Sequence, residues 1–240
     1  PSQNIYSMLA YFFFLNHSRA KPNQIKEIKK WFWHTACGDR YSGRGFNRNI
    51  PQDIRFFQRL ASGNNARYTI SEKISPTDFL KSNYRNSNAS STKAYYILLR
   101  NKKPKYLLNG REMLLDNHSE ISNRKDRHHI FPNNFLKRKS FKPKWINSIV
   151  NICYLEADEN QSFSDNHPKV YLQEYKRKKH FGEVMKSHLI PHKGTSPLWE
   201  KNVRKAFVGF INIRGKTIIS EVEKLAGAKF FEKFDSIKRT

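Results

Sequence analysis

At 240 residues the chain is long enough for one large domain or two small ones, each burying its own core. Hydrophobic residues make up 38% and aromatics 14%, with 18 Phe and 11 Tyr, which excludes wholesale disorder. Against 20 Asp and Glu stand 45 Lys and Arg, a formal charge of +25, so the expected partner is a polyanion and nucleic acid leads.

An anionic membrane surface is the rival, but no stretch reads as a long basic amphipathic helix. The longest apolar run, Ile5 to Leu15 (IYSMLAYFFFL), is too short to span a bilayer and lacks the flanks of a signal peptide. A cytoplasmic location is therefore expected. Cys37 and Cys153 lie far apart without a CxxC partner, which excludes a tetracysteine zinc site and favours two buried free thiols. The chain opens on an apolar helix with no initiator Met, as a fragment of a longer protein would.

Residues 1–118 read as a helical domain. Ile5, Met8, Leu9 and Phe12 share the spacing of one helix face, and the apolar residues between them predict burial on most sides. A second helix follows Pro22, with Ile25, Ile28 and Phe32 on one face and Gly38 beyond its end. Gly38 to Gly45 (GDRYSGRG) is a loop carrying Arg40 and Arg44. A third helix is expected from Pro51, presenting Ile54, Phe57 and Ala61 and stopping at Gly63. Ser91 to Arg100 fits a buried helix or a strand, and context favours helix.

From about Ile121 the texture turns to short segments. HHIF and NICYL each suit a short strand, separated by a basic loop, PNNFLKRKSFKPKW. EADENQ opens a helix, and Pro168 to Lys179 reads as another. A final helix is expected from Leu198, with Phe207, Phe210, Ile211, Arg214, Ile218 and Val222 on recurring faces. Gly209 and Gly215 weaken it by about 1 kcal/mol each relative to Ala.

Strand, long loop, strand and helix, with HHIFP (His128 to Pro132) ending the first strand, Asn151 opening NICYL and Asn160 ending ADEN, resembles the ββα-metal fold of HNH nucleases. The fold class this implies is mainly α with a small ββα-metal core, α+β overall, the core spanning 119–185 and a C-terminal helical segment spanning 186–240. Residue by residue, the resemblance makes His128 a metal ligand, His129 the general base, Asn160 the second ligand, and Asn151 a positioner of the loop and the base. The cofactor implied is one divalent ion, Mg²⁺ or Mn²⁺. Many relatives carry Asp where this chain has His128, which softens the ligand set and makes metal binding pH-dependent. The apolar-x-Pro tail sets the register; a shift by one would make His128 the base.

The chemistry explains the residue types. A divalent ion bound between strand and helix contacts the scissile phosphate and the leaving oxygen together, and a neutral imidazole takes a proton from water at pH 7. In the basic loop, Lys137, Arg138, Lys139, Lys142 and Lys144 are placed to clamp phosphates, with Phe141 and Trp145 packing or stacking. The run Tyr175 to His180 reads as the solvated face of a helix.

The flanks narrow the resemblance. INSIVNICYLEADENQSFSDNHPKVYLQEY looks like the C-terminal part of GmrSD-like, modification-dependent restriction enzymes, in which NSIxNI and NxPxxYL recur. WFWHTACGDRYSGRG and HLIP with the Arg214 helix resemble the flanking stretches. Such enzymes carry a domain that hydrolyses nucleotide and senses modified DNA; no glycine-rich phosphate loop stands in this sequence. The expectation is a bacterial anti-phage nuclease half that acts on DNA with an N-terminal sensor domain or subunit. A nucleic-acid-binding module inactive without that partner is the alternative, and a toxin or homing nuclease with the same core a third.

Overall fold

The computed structural model describes residues 2–63, 65–113, 127–155 and 165–238. The described residues are mainly helical, with one two-stranded antiparallel sheet, so the protein is α+β overall. No described helix is long and apolar enough to cross a membrane. The chain forms two compact units, neither continuous in sequence. The first comprises Pro1–Phe79, Asn86–Tyr95 and Ile219–Phe234; the second comprises Leu80–Arg85, Tyr96–Ile218 and Asp235–Thr240.

In the first unit, α1 (Gln3–Asn16) packs on α3 (Gly45–Ala61), with Phe12 and Phe57 both fully buried and their rings 5.8 Å apart. Burial of α1 stops at that stripe: Tyr6, Phe13 and Phe14 are exposed, so the expectation of a helix buried on most sides is corrected. The buried side of α2 (Pro22–Cys37) is also displaced from the predicted face. Trp31, Trp33, His34, Ala36 and Cys37 are inside, while Ile25 is exposed. Trp31 decides this orientation, because its indole fills the core against Phe57 and its Nε1–H needs an acceptor, which Asp53 Oδ2 supplies at 2.9 Å.

Helix α3 begins at Gly45, not Pro51, which lies inside it on the exposed side. Proline gives no hydrogen bond to the carbonyl of Asn47, which is exposed and left to solvent. The Gly38–Gly45 loop is built into the core: Arg40 bonds Asp53 at 3.0 Å and Tyr41 Oη donates to it at 2.5 Å. Asp39 caps the start of α5 (Ser90–Asn101), accepting from Ser91 N at 3.1 Å and from Ser91 Oγ at 2.6 Å.

In the second unit, β1 (Arg127–His129) pairs antiparallel with β2 (Ile152–Tyr154), and α4 (Pro76–Leu80) ends where this unit begins. The segment between the strands is not a plain loop. It folds α6 (Asn133–Arg138) and α7 (Pro143–Ile146), each too short to be signalled by periodicity. Beyond β2 come α8 (Pro168–Tyr175), α9 (Phe181–Ser187) and α10 (Val203–Ala226). Helix α8 stops at Tyr175, so Lys176 to His180 are turn residues and not a helix face. Helix α10 starts later than Leu198, and Phe207, Phe210, Ile211, Arg214, Ile218 and Val222 are all fully buried. Cys37 and Cys153 are buried and form no disulfide.

The tail of β1 is the pivot of this unit. Phe131 is fully buried, with ring centroids 5.2 Å from both Phe207 and Phe210. Arg214, also fully buried, donates to the carbonyls of Val150 (2.6 Å) and His188 (2.8 Å), so a charged fork ties α10 to the residue before Asn151.

Candidate active site

The hairpin register sets what the adjacent histidines face. His129 lies opposite Ile152 and His128 opposite Cys153, so the two side chains leave opposite faces of the strand pair. On the His129 face, the Tyr84 ring stands edge-on to the imidazole, 5.0 Å away at 82°. A segment far upstream delivers that ring. Ile149 N donates to Ser82 O at 2.9 Å and Tyr84 N to Asn147 O at 3.0 Å, so Ser82–Tyr84 runs beside the turn that enters β2.

The imidazole has a defined tautomer. Asn147 Oδ1 lies 3.2 Å from His129 Nε2 and also accepts from Asn133 Nδ2 at 3.1 Å. An amide oxygen can only accept, so Nε2 carries the proton and Nδ1 keeps its lone pair. Burial pushes the His129 pKa down to about 4; the Asn147 hydrogen bond opposes this, and the charges of Arg85, His128 and Lys137 add to it. The ring is neutral at pH 7 and faces positive charge from two chain segments.

Asn151 is fully buried, and its side-chain hydrogen bonds go elsewhere than His129. Its Oδ1 accepts from Phe131 N at 2.9 Å, and its Nδ2 donates to Phe131 O and Ile146 O, each at 3.0 Å. The amide thus holds the strand tail, while Asn147 holds the imidazole. The expectation gave both tasks to Asn151; the hydrogen bonds tie Asn151 to the strand tail and Asn147 to the imidazole. His128 is half-buried on the other face, and its predicted co-ligand Asn160 lies outside the described residues. Among the described residues no three His, Cys, Asp or Glu side chains cluster as a metal site.

The five predicted phosphate-contacting cations, Lys137, Arg138, Lys139, Lys142 and Lys144, are exposed on α6, α7 and their junction. Arg138 is partly occupied, donating to Asp165 O at 2.9 Å and lying 3.4 Å from its carboxylate. Phe141 and Trp145 are buried; Phe141 packs 5.0 Å from Phe207, so both anchor the segment and neither is available to stack on bases. At the N-terminus of α8, His167 Nδ1 accepts from Lys169 N at 3.0 Å. Its Nε2 is buried without a hydrogen-bond partner among the described residues. The His167 ring packs edge-on against Phe131, 5.6 Å away.

Sequence reasoning missed Asn147, Tyr84 and Arg85. Asn147 was legible, as the first asparagine of the NSIxNI pattern. Tyr84 and Arg85 carried no local signal, because backbone pairing between distant segments brings them to the site.

No family model matches the chain, and no solved structure matches it. An uncharacterized protein of Methanocaldococcus jannaschii is 24% identical over 237 residues, covering 89% of this chain. The chain spans 39% of that relative's length.

Proposed function

We propose that the protein is a metal-dependent endonuclease of the HNH class, hydrolysing DNA phosphodiester bonds from the His129 face of its hairpin. The observation that carries this is the His129–Asn147 pair: an imidazole fixed by Nε2–H to an amide oxygen, with Nδ1 left to act. In this reading Nδ1 takes the proton from water as its oxygen attacks phosphorus, and Asn147 Oδ1 stabilises the imidazolium that forms. Asn151 keeps the strand tail in place, and the exposed lysines of α6 and α7 hold the backbone.

A divalent ion, when bound, would polarise the phosphate and stabilise the leaving oxygen. His128 would hold it together with Asn160. An imidazole donor suits Mn²⁺ better than Mg²⁺, so the half of the ligand set within the described residues fits a borderline ion. A role in bacterial anti-phage restriction, with a nucleotide-hydrolysing sensor domain or subunit as partner, belongs to the same proposal. The share of the archaeal relative lying beyond this chain favours one second reading: a DNA-binding half that cuts when joined to further domains.

The test is conversion of supercoiled plasmid to open circles with EDTA, Mg²⁺ or Mn²⁺, comparing the protein with His129→Ala. Metal-dependent nicking that the variant loses supports the nuclease and its base together. Nicking that survives the substitution removes His129 from the role. No nicking in any lane, beside a gel shift of the same DNA, favours the binding half.

A further inference from the structure

Arg85 ends the Leu80–Arg85 segment and is exposed. Its Nε–H donates to Tyr84 Oη at 3.0 Å, and its guanidinium carbon lies 5.5 Å from the Tyr84 ring centroid. Tyr84 is itself fixed twice, by its edge-on contact with His129 and by its N–H bond to Asn147 O. The same asparagine therefore fixes the imidazole with its side chain and the tyrosine with its backbone. Among the described residues no carboxylate lies within ion-pair distance of Arg85. A neutral tyrosine hydroxyl orients the guanidinium without cancelling its charge, and leaves the two-pronged Nη edge for an anion.

We propose that Arg85 is a phosphate-binding residue of this site, holding one phosphate of the DNA backbone beside His129. Its placement rests on the nuclease reading above. Arginine suits the task because its planar fork matches a phosphate with two parallel hydrogen bonds, which fixes orientation as well as charge. Lys137 supplies a second positive charge to the same imidazole from α6. A phosphate beside His129 would thus meet positive charge from two chain segments.

The experiment measures binding of a fluorescein-labelled duplex by anisotropy in EDTA, at salt from about 50 to 200 mM. The protein, Arg85→Ala and Arg85→Lys are compared, with plasmid nicking in Mn²⁺ run alongside. Losing one phosphate contact is expected to lower affinity several-fold in Arg85→Ala and to flatten the slope of log K against log salt by about 0.9. Arg85→Lys is expected to restore the slope but not the full nicking rate. An unchanged affinity and slope in Arg85→Ala overturns the proposal, even where the parent protein nicks and the nuclease reading stands. A flattened slope with an unchanged nicking rate at saturating DNA places the contact away from His129 and also overturns it. A flattened slope in a protein that nicks nothing leaves Arg85 a phosphate contact and removes the nuclease reading instead.

Discussion

Asn151 grips Phe131 by both backbone groups, accepting from its N–H at 2.9 Å and donating to its C=O at 3.0 Å. The backbone pairing runs one residue past His129, with Ile130 N donating to Asn151 O at 2.8 Å, and this two-point side-chain bond extends it to Phe131 without a third strand. The apolar ring of Phe131 is then held in the core between Phe207 and Phe210.

Asn151→Ala leaves three buried backbone groups, on Phe131 and Ile146, without this partner. The expected loss is on the order of 3 kcal/mol, read from the urea midpoint. Asn151→Asp is expected to be at least as damaging at neutral pH, since a carboxylate would face two carbonyl oxygens it cannot bond. Unchanged midpoints would mean that the strand tail is held by Phe131 packing instead.

Asn147→Ala separates positioning from folding. Asn147 is half-buried, so its loss is expected to shift the denaturation midpoint little. It frees the imidazole to rotate, and the nicking rate is expected to fall about tenfold to a hundredfold with DNA affinity preserved. A fall in affinity matching the fall in rate would assign Asn147 to DNA binding.

Arg214→Met removes a fully buried cation whose fork is bonded to the carbonyls of Val150 and His188. With those acceptors unpaired, the expected cost is ~4 kcal/mol, read by chemical denaturation. Arg214→Lys keeps the charge but cannot span both carbonyls, and is expected to recover less than half of that loss. Full recovery by lysine would show that charge, not the fork, matters.

Acid is expected to unfold the protein through its buried histidines. Burial pushes His188 down to about 4; the hydrogen bond from Nε2–H to Lys105 O opposes this, and the Arg214 charge adds to it. The unfolded imidazole, near its ordinary 6.5, binds a proton before the folded one does. Stability is therefore fully present above pH 6.5 and declines as pH falls from there towards 4. His188→Gln is expected to flatten the urea midpoint between pH 7 and 5 relative to the parent protein. An equally steep decline in the variant would assign the effect to His129, His34 and His167, which burial also lowers.

The charge of +25, the buried face of the last helix, the two short strands around a basic insert and the HHIFP–Asn151 spacing were all legible in the sequence. Each is local: composition needs no fold, and periodicity records which residues one element must bury. Trp31 decided the buried face of α2 against a better-looking Ile25 stripe, because a large indole needs both core volume and a buried acceptor, and Asp53 on another helix supplied the acceptor. The division of labour between Asn147 and Asn151 was likewise invisible, since both stand near the same strand and their bonds depend on the turn between them. Above all, the tertiary structure brought Tyr84 and Arg85 to His129. Backbone hydrogen bonds between Ser82–Tyr84 and Asn147–Ile149 carry no side-chain signature, so no sequence pattern announces which distant segment will complete the site.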